Sequence, residues 1–332
     1  MRRGRRWSCR CDRERRVFVQ FRTLGRTGLK VSVISYGSGG PSVLGQRTGL
    51  EDAGQDALIR RVLDLGINFI DTSEGYSRSE EILGRALKGV PRDTYIMATK
   101  WNPCEKETPK TDPQDLVRSV EQSLSRMGID AIDVMQFHGV VPSIYRTVVD
   151  RFYGTMKQLQ AQGKIRFIGF SERFFSDPKH EAVVMALEQD GGLWDTIMLK
   201  YGILNQCAAR RALPLAQEKD VGILNMASVR VKLTRPEELE ALMAEWKGRG
   251  LIPRDALPEK DPLGFLVHGE VDSVVSAGYK FALDHPGVST VITGTSRVDN
   301  LERNLAALLG PPLPEADQKR LHALFGPLEE AV

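Results

Sequence analysis

Four residues with side chains suited to proton chemistry lie at the ends of short apolar runs. Asp71 follows a run rich in β-formers, and Tyr76 comes five residues later, in the next loop. Lys100 and His138 follow the next two runs of the same kind. A tyrosine has a reference pKa of about 10, so it donates a proton near neutral pH only if a nearby cation favours the phenolate. The pattern predicts that Lys100 is that cation and that Asp71 is its counter-ion.

Taken singly, each residue also has an ordinary structural interpretation. Asp71 would cap a helix, Tyr76 would be a loop aromatic, Lys100 would extend along apolar surface, and His138 would be a hydrogen-bonded core histidine. Together they suit carbonyl reduction, because negative charge develops on the carbonyl oxygen and an acid must meet it. In that interpretation His138 orients or polarises the carbonyl. None of the four supplies hydride, so a cofactor is required.

These residues need a scaffold whose strands end at one edge. Strand patterns alternate with helical patterns along the chain, which implies parallel pairing, and eight such units close into a (β/α)8 TIM barrel. An open doubly wound sheet is the alternative, but no Gly-x-Gly-x-x-Gly fingerprint opens the first unit. A hairpin over 18–29 precedes the barrel, and a long loop over 227–270 follows strand seven, where it would cover the barrel mouth or form a surface insertion. The predicted strands are 30–36, 67–71, 94–99, 132–137, 165–170, 195–200, 221–226 and 288–292. The predicted helices are 51–65, 79–88, 113–127, 144–162, 174–189, 206–219 and 236–247.

Composition limits the class of protein. The chain has 332 residues, of which 41% are hydrophobic and 27% are charged, as in ordinary globular proteins. No apolar run approaches the ~18 residues that span a membrane. Four cysteines in a chain of this length do not indicate a disulfide framework, and Cys9-x-Cys11 has no second pair to complete a metal site. We therefore expect a cytoplasmic protein without a bound metal.

The charge is concentrated at the start of the chain. Residues 1–16 contain eight arginines and two acidic residues, so the rest of the chain carries a net charge of −3 although the whole has +3. A basic arm for nucleic acid is one interpretation of this segment, and a disordered tail or an over-early start is the other. Since the body is not basic, we expect no nucleic-acid partner. We expect a tail over 1–16 and a single barrel domain over 17–332.

In this order and at these strand ends, Asp71, Tyr76, Lys100 and His138 resemble the catalytic tetrad of the aldo-keto reductase family. Other stretches resemble the opening hairpin, the fifth strand, and the eighth strand with its helix in the same family. These stretches are Leu24–Val31, Gly163–Ser171, and Val288–Ser296 with Asn300 and Asn304. The resemblance covers roughly residues 21 to 325. It implies a barrel that binds a nicotinamide nucleotide across its strand ends.

The resemblance also implies which residues meet the ligands, and here the sequence departs from the family pattern. Glu172 stands where asparagine is usual, Met198 where glutamine is usual, and Met226 where an aromatic residue stacks on the nicotinamide. The residues expected to contact the cofactor are Ser171, Glu172, Met198, Met226, Ala227, Gly294, Thr295, Ser296, Arg297, Asn300, Arg303 and Asn304. Those expected to line the substrate cavity are Ser38, Trp101 and Val140.

The expected cofactor is NADP(H) in preference to NAD(H). Its 2′-phosphate would lie over 294–297, at the start of a helix, where free backbone N–H groups and a partial positive charge attract an anion. Arg297 would add a charge-assisted hydrogen bond, although Asp299 in the same turn opposes it. The Glu172 carboxylate is expected to face the nicotinamide ring and to favour its oxidised, cationic form.

Several functions are compatible with this site. The first is a carbonyl reductase or alcohol dehydrogenase that acts on an aldehyde, ketone or sugar, with Tyr76 as general acid. The second is an epimerase or dehydratase that keeps its nucleotide and acts through transient oxidation. The third is a regulatory protein that binds nucleotide with little turnover, and a more distant one is an aldolase-like enzyme with Lys100 as Schiff base. In each case we expect a small-molecule ligand. The sequence does not specify the oligomeric state.

Overall fold

The structure is a computed structural model that describes residues 19–105 and 108–332. The predicted basic tail, 1–16, lies outside the described residues. Within those ranges no helix combines the length and the apolar character needed to cross a bilayer.

Eight parallel strands close into a barrel, as the alternating pattern predicts. Most strand residues are buried, because the barrel interior fills one face of each strand and the surrounding helices cover the other. The pairing is consecutive around the barrel, and the eighth strand pairs with the first to close it. In chain order the barrel strands are Ile34–Gly37, Phe69–Asp71, Ile96–Trp101, Ile132–Val140, Ile165–Glu172, Thr196–Lys200, Gly222–Met226 and Thr290–Thr293.

Helices connect these strands and surround the barrel. One of them, which runs from Pro142 to Ala161, contains a π-helical turn at Val149–Tyr153. The α-helices described are Asp52–Asp64, Ser79–Ala86, Gln114–Met127, Pro142–Val148, Gly154–Ala161, Glu181–Asp190, Ala212–Glu218, Pro236–Gly248, Val274–Asp284, Val298–Leu309 and Glu315–Phe325. The last of these, and the helix at 274–284, were not predicted from the sequence.

The N-terminal hairpin closes the bottom of the barrel. Strands Phe21–Thr23 and Lys30–Ser32 pair antiparallel around a 3₁₀ turn. Leu24 and Val31 are fully buried and belong to the apolar cluster inside the barrel. The prediction of one strand from 30 to 36 was therefore wrong, because this run is divided between the hairpin and the first barrel strand. In the described part of the chain, the hairpin therefore covers the end of the barrel opposite to the carboxyl ends of the strands.

The helix predicted over 174–189 begins at Glu181, seven residues after its predicted start. The Asp177 carboxylate accepts hydrogen bonds from the backbone N–H groups of Glu181 (2.8 Å) and Ala182 (2.9 Å), and so it satisfies donors of the first turn. His180 precedes the helix with φ +58°. The residues between Glu172 and Glu181 consequently form a loop at the barrel mouth. The helix predicted over 206–219 is also shorter, since a 3₁₀ turn at 207–210 precedes it.

The long connection after the seventh strand has two parts. Its first residues, from Ala227 to Val231, lie at the mouth of the barrel and line the main cavity. Its helix, Pro236–Gly248, lies away from that cavity, where Trp246 packs against Phe325 with ring centroids 5.9 Å apart. Within the described residues, the predicted loop therefore lines this cavity through 227–231 and Thr234, and its helix contributes to packing.

Candidate active site

A buried ion pair lies at the centre of the barrel mouth. The second barrel strand ends at Asp71, and the third places Lys100 beside it. The Lys100 ammonium donates hydrogen bonds to both carboxylate oxygens of Asp71, at 2.7 and 2.6 Å, and to the carbonyl oxygen of Thr72 at 2.7 Å. Gln136 adds a long contact to Asp71 at 3.4 Å. The side chain of Lys100 has no solvent exposure. The charge is therefore fixed in position before any ligand binds.

The pKa values of this pair reflect burial and mutual attraction. Burial raises the pKa of Asp71, and the positive charge of Lys100 opposes that effect. For Lys100, burial lowers the pKa, but Asp71 and Tyr76 together raise it above its ordinary value. An ammonium group that is held in its charged form is the kind of group that stabilises a neighbouring phenolate.

Tyr76 lies over this pair, in the loop after the second strand. The Lys100 ammonium is 5.1 Å from the centroid of the Tyr76 ring. The ring meets that of His138 edge to face, with centroids 5.7 Å apart. On another side it rests on backbone: a Cβ atom added to Gly39 would lie 2.5 Å from a ring carbon. The tyrosine is thus confined by three neighbours.

His138 is held as a neutral ring. Its Nδ1 is 3.2 Å from the hydroxyl oxygen of Ser73, and that oxygen also accepts a hydrogen bond from the Gly75 N–H. Burial, followed by the charges of Lys100 and Arg173, lowers the pKa of His138 to about 3. In the tautomer whose Nδ1 accepts from Ser73, the other nitrogen carries a hydrogen that it can donate to a carbonyl oxygen.

The tetrad lies at one end of a cavity of about 690 Å³, a size typical of ligand sites. The cavity runs from the tetrad past the seventh strand to the start of the helix Val298–Leu309. All four tetrad residues line it. So do all twelve residues expected to contact the cofactor: Ser171, Glu172, Met198, Met226, Ala227, Gly294, Thr295, Ser296, Arg297, Asn300, Arg303 and Asn304.

Glu172 does not offer its carboxylate to a ligand as expected. Its side chain has no solvent exposure. One oxygen lies 2.7 Å from Nδ1 of His180, and the other accepts the backbone N–H of Lys200 at 2.8 Å. The expectation that this carboxylate faces the nicotinamide ring is therefore corrected. The histidine partner was not predicted, because His180 was assigned to a helix.

The three residues expected to line the substrate cavity lie elsewhere. Ser38 is buried and donates to the Thr72 hydroxyl at 2.8 Å. Trp101 and Val140 belong to the apolar cluster between strands and helices. Side chains alternate across a strand, so Trp101 points away from the barrel centre when Lys100 points towards it. Val140 is two residues beyond His138, but a register shift between Phe137 and Val140 breaks the alternation there.

Other residues form the wall that those three were expected to form. Asn102, Phe174, Phe175 and Arg230 line the cavity, and Phe175 is 56% exposed. The two phenylalanines follow the fifth strand, and sequence analysis missed them by placing them in a helix. The Asp177-Pro178 pair was the available signal, because a capping aspartate followed by proline marks the start of a helix rather than its interior.

The far end of the cavity is more open. Arg297 precedes the helix Val298–Leu309, whose first turn has no side-chain hydrogen-bond cap. The Arg297 side chain is 71% exposed, and its guanidinium lies 3.8 Å from Asp299. Asn304, in the second turn of the helix, donates to the Thr293 hydroxyl at 2.7 Å. The first-turn N–H groups and Arg297 are thus arranged for an anion from solvent.

The cavity fits an elongated nucleotide. The Ser228 hydroxyl lines its middle, is buried, and has no hydrogen-bond partner in the described part of the chain. A buried hydroxyl without a partner is costly, so a polar ligand at this position would satisfy it. Gly294 lets its backbone pass close to the first strand, since a Cβ there would lie 3.2 Å from the Gly37 carbonyl oxygen.

A closed parallel barrel with a lysine–aspartate pair, a tyrosine and a histidine at its mouth defines a class of TIM-barrel proteins with acid–base sites. Comparison with known proteins identifies the family within that class. The profile of the Aldo/keto reductase family matches residues 35–325, so the chain belongs to this family. It is an NAD(P)-dependent oxidoreductase.

Two of the relatives match almost the whole chain, and a third matches part of it. L-galactose dehydrogenase from Arabidopsis thaliana is 28% identical over 322 residues, which span 94% of this chain and 95% of that protein. The holo form of aldo-keto reductase AKR11C1 from Bacillus halodurans superposes with a TM-score of 0.72 at 25% identity, over 95% of this chain and 98% of the other. NADH-specific methylglyoxal reductase from Escherichia coli is 31% identical over 217 residues, 60% of this chain and 62% of that protein.

Proposed function

We propose that this protein reduces an aldehyde, ketone or sugar carbonyl with Tyr76 as general acid, or oxidises the corresponding alcohol. The observation that carries the proposal is the lysine–aspartate pair fixed beneath the tyrosine. Lys100 has no exposure and is bonded to both oxygens of Asp71, and its ammonium lies 5.1 Å from the Tyr76 ring.

Each of the four side chains has a part in this proposal. Tyr76 gives its proton to the carbonyl oxygen as charge develops there. Lys100 stabilises the phenolate that remains, and Asp71 holds Lys100. His138 is neutral at working pH and donates a hydrogen bond that orients the carbonyl. A bound nicotinamide nucleotide supplies the hydride.

The cofactor that we propose is NADP(H). Arg297 and Arg303 line the cavity at the start of the helix Val298–Leu309, with free N–H groups beside them. A 2′-phosphate carries close to two negative charges, so it gains more than a ribose hydroxyl from such a position. The Escherichia coli relative described as NADH-specific is the counter-example, and the choice must be measured.

The proposed substrate class follows from the cavity and from the relatives. The wall beside the tetrad is partly aromatic, through Phe174 and Phe175, and partly polar, through Asn102. Among the relatives are a sugar dehydrogenase and a reductase of a small aldehyde. We therefore propose small aldehydes and aldoses as the first compounds to test. We also propose that the protein acts in the cytoplasm and has no nucleic-acid partner.

Tyr76→Phe tests the role of the tyrosine. The variant keeps the ring and its contacts and loses only the hydroxyl. We expect nucleotide affinity to be unchanged and turnover to fall by roughly 10²–10⁴-fold, measured by the loss of NADPH absorbance with an active aldehyde. Turnover close to that of the wild type would remove Tyr76 from the mechanism.

A further inference from the structure

Arg230 is a cation at the barrel mouth that the proposed reaction does not use. It follows the seventh strand, is half-buried, and lines the cavity that contains the tetrad. It also lines a neighbouring cavity beyond Tyr76. Among residues 19–105 and 108–332, no carboxylate forms an ion pair with its guanidinium. A half-buried cation that lines a cavity without a counter-ion is suited to an anionic ligand.

The guanidinium is held in position by its surroundings. Its central carbon lies 5.8 Å from the centroid of the Phe174 ring, and the Lys200 ammonium lies 4.5 Å from the same centroid. Lys200 also donates a hydrogen bond to the Arg230 carbonyl oxygen at 3.3 Å. The hydrogen bond holds the backbone of Arg230, and the contact with Phe174 directs its guanidinium along the cavity wall.

Lys200 is the charged neighbour of Arg230 in this corner. Its ammonium also donates a hydrogen bond to the backbone oxygen of Val332, and the Glu172 carboxylate is already shared between His180 and the backbone of Lys200. Burial, and then the charge of Arg230, lower the pKa of Lys200 to about 7. Burial makes the larger contribution to this shift, and the Glu172 carboxylate opposes it. Because no described carboxylate pairs with the Arg230 guanidinium, an anion that entered this corner would supply that partner.

Arg230 is also close to the proposed acid. A Cβ atom on Gly40 would lie 3.6 Å from the terminal nitrogen Nη1 of Arg230, and one on the preceding Gly39 would lie 2.5 Å from the Tyr76 ring. Since consecutive Cα atoms are about 3.8 Å apart and each Cα–Cβ bond adds about 1.5 Å, the guanidinium and the tyrosine ring lie within roughly 13 Å of each other. Both line the same cavity, so one molecule bound there can contact both.

We propose that Arg230 binds a phosphate or carboxylate group of the molecule in the cavity. The inference rests on the proposed function, since it concerns ligands of the same site. Two sources offer this chemistry: a carbonyl substrate with an anionic group a few bonds from its carbonyl, or the pyrophosphate of the nucleotide. Arginine suits either one, because its planar fork donates two parallel hydrogen bonds to such oxygens.

The experiment uses the full chain with Arg230→Met, Arg230→Lys and a control, Arg118→Met. Arg118→Met also removes a positive charge. The Arg118 side chain is exposed, pairs with Asp112 and Asp115, and does not line the cavity. Two aldehydes of nearly equal shape serve as probes: 4-carboxybenzaldehyde, which is anionic, and 4-formylbenzamide, which is neutral. Affinities for NADH and NADPH are measured separately, by fluorescence titration.

If the anion belongs to the substrate, Arg230→Met lowers kcat/KM for the carboxylate by about 10- to 150-fold, the equivalent of one lost charge-assisted hydrogen bond. The amide, the control and both nucleotide affinities stay near wild type, and Arg230→Lys recovers part of the loss. If the anion is the pyrophosphate, NADH and NADPH affinities fall together, and both aldehydes are affected alike.

Unchanged nucleotide affinities together with equal kcat/KM ratios for the two aldehydes would overturn the proposal. A wild-type protein that reduces neither aldehyde would count against the proposed function instead. In that case loss of nucleotide affinity in Arg230→Met supports the pyrophosphate as the source of the anion. If nucleotide affinity is unchanged, binding of the two aldehydes to the nucleotide complex, measured by the same fluorescence titration, decides: weaker binding of the carboxylate alone in Arg230→Met supports the proposal, and equal binding of both aldehydes in the two proteins overturns it.

Discussion

The two ends of the cavity differ in how far the protein has fixed its charges in advance. At the tetrad, Lys100 has no exposure, and its three hydrogen-bond acceptors lie within 2.7 Å. At the start of the helix Val298–Leu309, Arg297 is 71% exposed, and its nearest carboxylate is 3.8 Å away.

This difference indicates that the two ends of the cavity have different functions. A buried charge must be paired, and its geometry is fixed as part of folding. Such a group can stabilise charge during the reaction without reorganisation. An exposed charge contributes little to stability and is ordered by the ligand that it binds. We therefore expect variants at the tetrad to affect both folding and turnover, and variants at the helix start to affect ligand choice alone.

The largest effect is expected for Lys100→Met. It leaves the buried Asp71 carboxylate without its partner, which costs about 3–5 kcal/mol in the free energy of unfolding. Turnover should fall by roughly 10²–10⁴-fold, since the proposed support for the phenolate is lost. Urea unfolding and steady-state kinetics measure the two losses.

The double variant Asp71→Asn with Lys100→Met sharpens this test. It removes the unpaired charge, so we expect most of the stability to return while turnover stays low. Recovery of turnover in the double variant would show that Lys100 is only a structural partner of Asp71. A single variant as stable as the wild type would contradict the description of a buried, strongly coupled pair.

The next effect concerns Gly39→Ala. The new Cβ would meet the Tyr76 ring at 2.5 Å, so the ring must shift. We expect turnover to fall by up to about 10²-fold, the order of loss that a misplacement of about 1 Å causes, with nucleotide affinity retained. Gly154→Ala is the control, because a Cβ there meets nothing within 4 Å. Equal turnover in the two variants would show that the position of the tyrosine is not critical.

Arg297→Ala acts at the exposed end. If Arg297 contacts the 2′-phosphate, NADPH affinity falls by about 10- to 150-fold before solvent screening, while NADH affinity is nearly unchanged. The free energy of unfolding should change by less than about 0.5 kcal/mol, as for other surface substitutions. If titration shows the same affinity ratio as in the wild type, the preference for NADP(H) does not come from this residue.

The smallest effect expected is the pH dependence that His138 contributes. Its pKa is lowered to about 3 from an ordinary 6.5, so between these values the unfolded chain binds a proton that the folded chain does not. Stability should therefore fall as pH drops through this window, by at most about 1.4 kcal/mol per pH unit. Urea unfolding at pH 7 and pH 5 should show a steeper fall for the wild type than for His138→Gln. An equal loss of stability in the two proteins would show that a group other than His138 titrates in this range.

The fold could be predicted largely from periodicity, and the errors have local causes. Eight strand patterns alternating with helical ones were enough to predict a closed barrel, because parallel pairing is the arrangement that such alternation favours. The helix at 174–189 was misplaced because apolar residues at Phe174 and Phe175 extend the periodic pattern past its true start. The Asp177 cap, and not the apolar period, determines where the chain becomes helical.

The candidate site, like the fold, could be predicted only in part. That the four tetrad residues lie close together could be predicted, because the strand ends of a barrel meet at one face, while their catalytic roles stay a prediction. The residues of the substrate wall could not be predicted, because the face to which a side chain points depends on local register. Trp101 lies one residue from Lys100 on the opposite face of the strand, and the shift near Val140 cannot be seen in the sequence. The burial of Glu172 against His180 depends on a loop conformation that no pattern specifies.

Transfer of isotope from the cofactor tests the central proposal most directly. The protein is incubated with a panel of aldehydes and aldoses and with NADPH that carries deuterium at the transferable position. The products are analysed by mass spectrometry. We expect one deuterium on the former carbonyl carbon for each nucleotide oxidised, and roughly 10²–10⁴-fold slower transfer in Tyr76→Phe at unchanged nucleotide affinity. Tight nucleotide binding without any deuterium in the product, or transfer that is as fast in Tyr76→Phe, would contradict a reductase that uses this tyrosine as its acid.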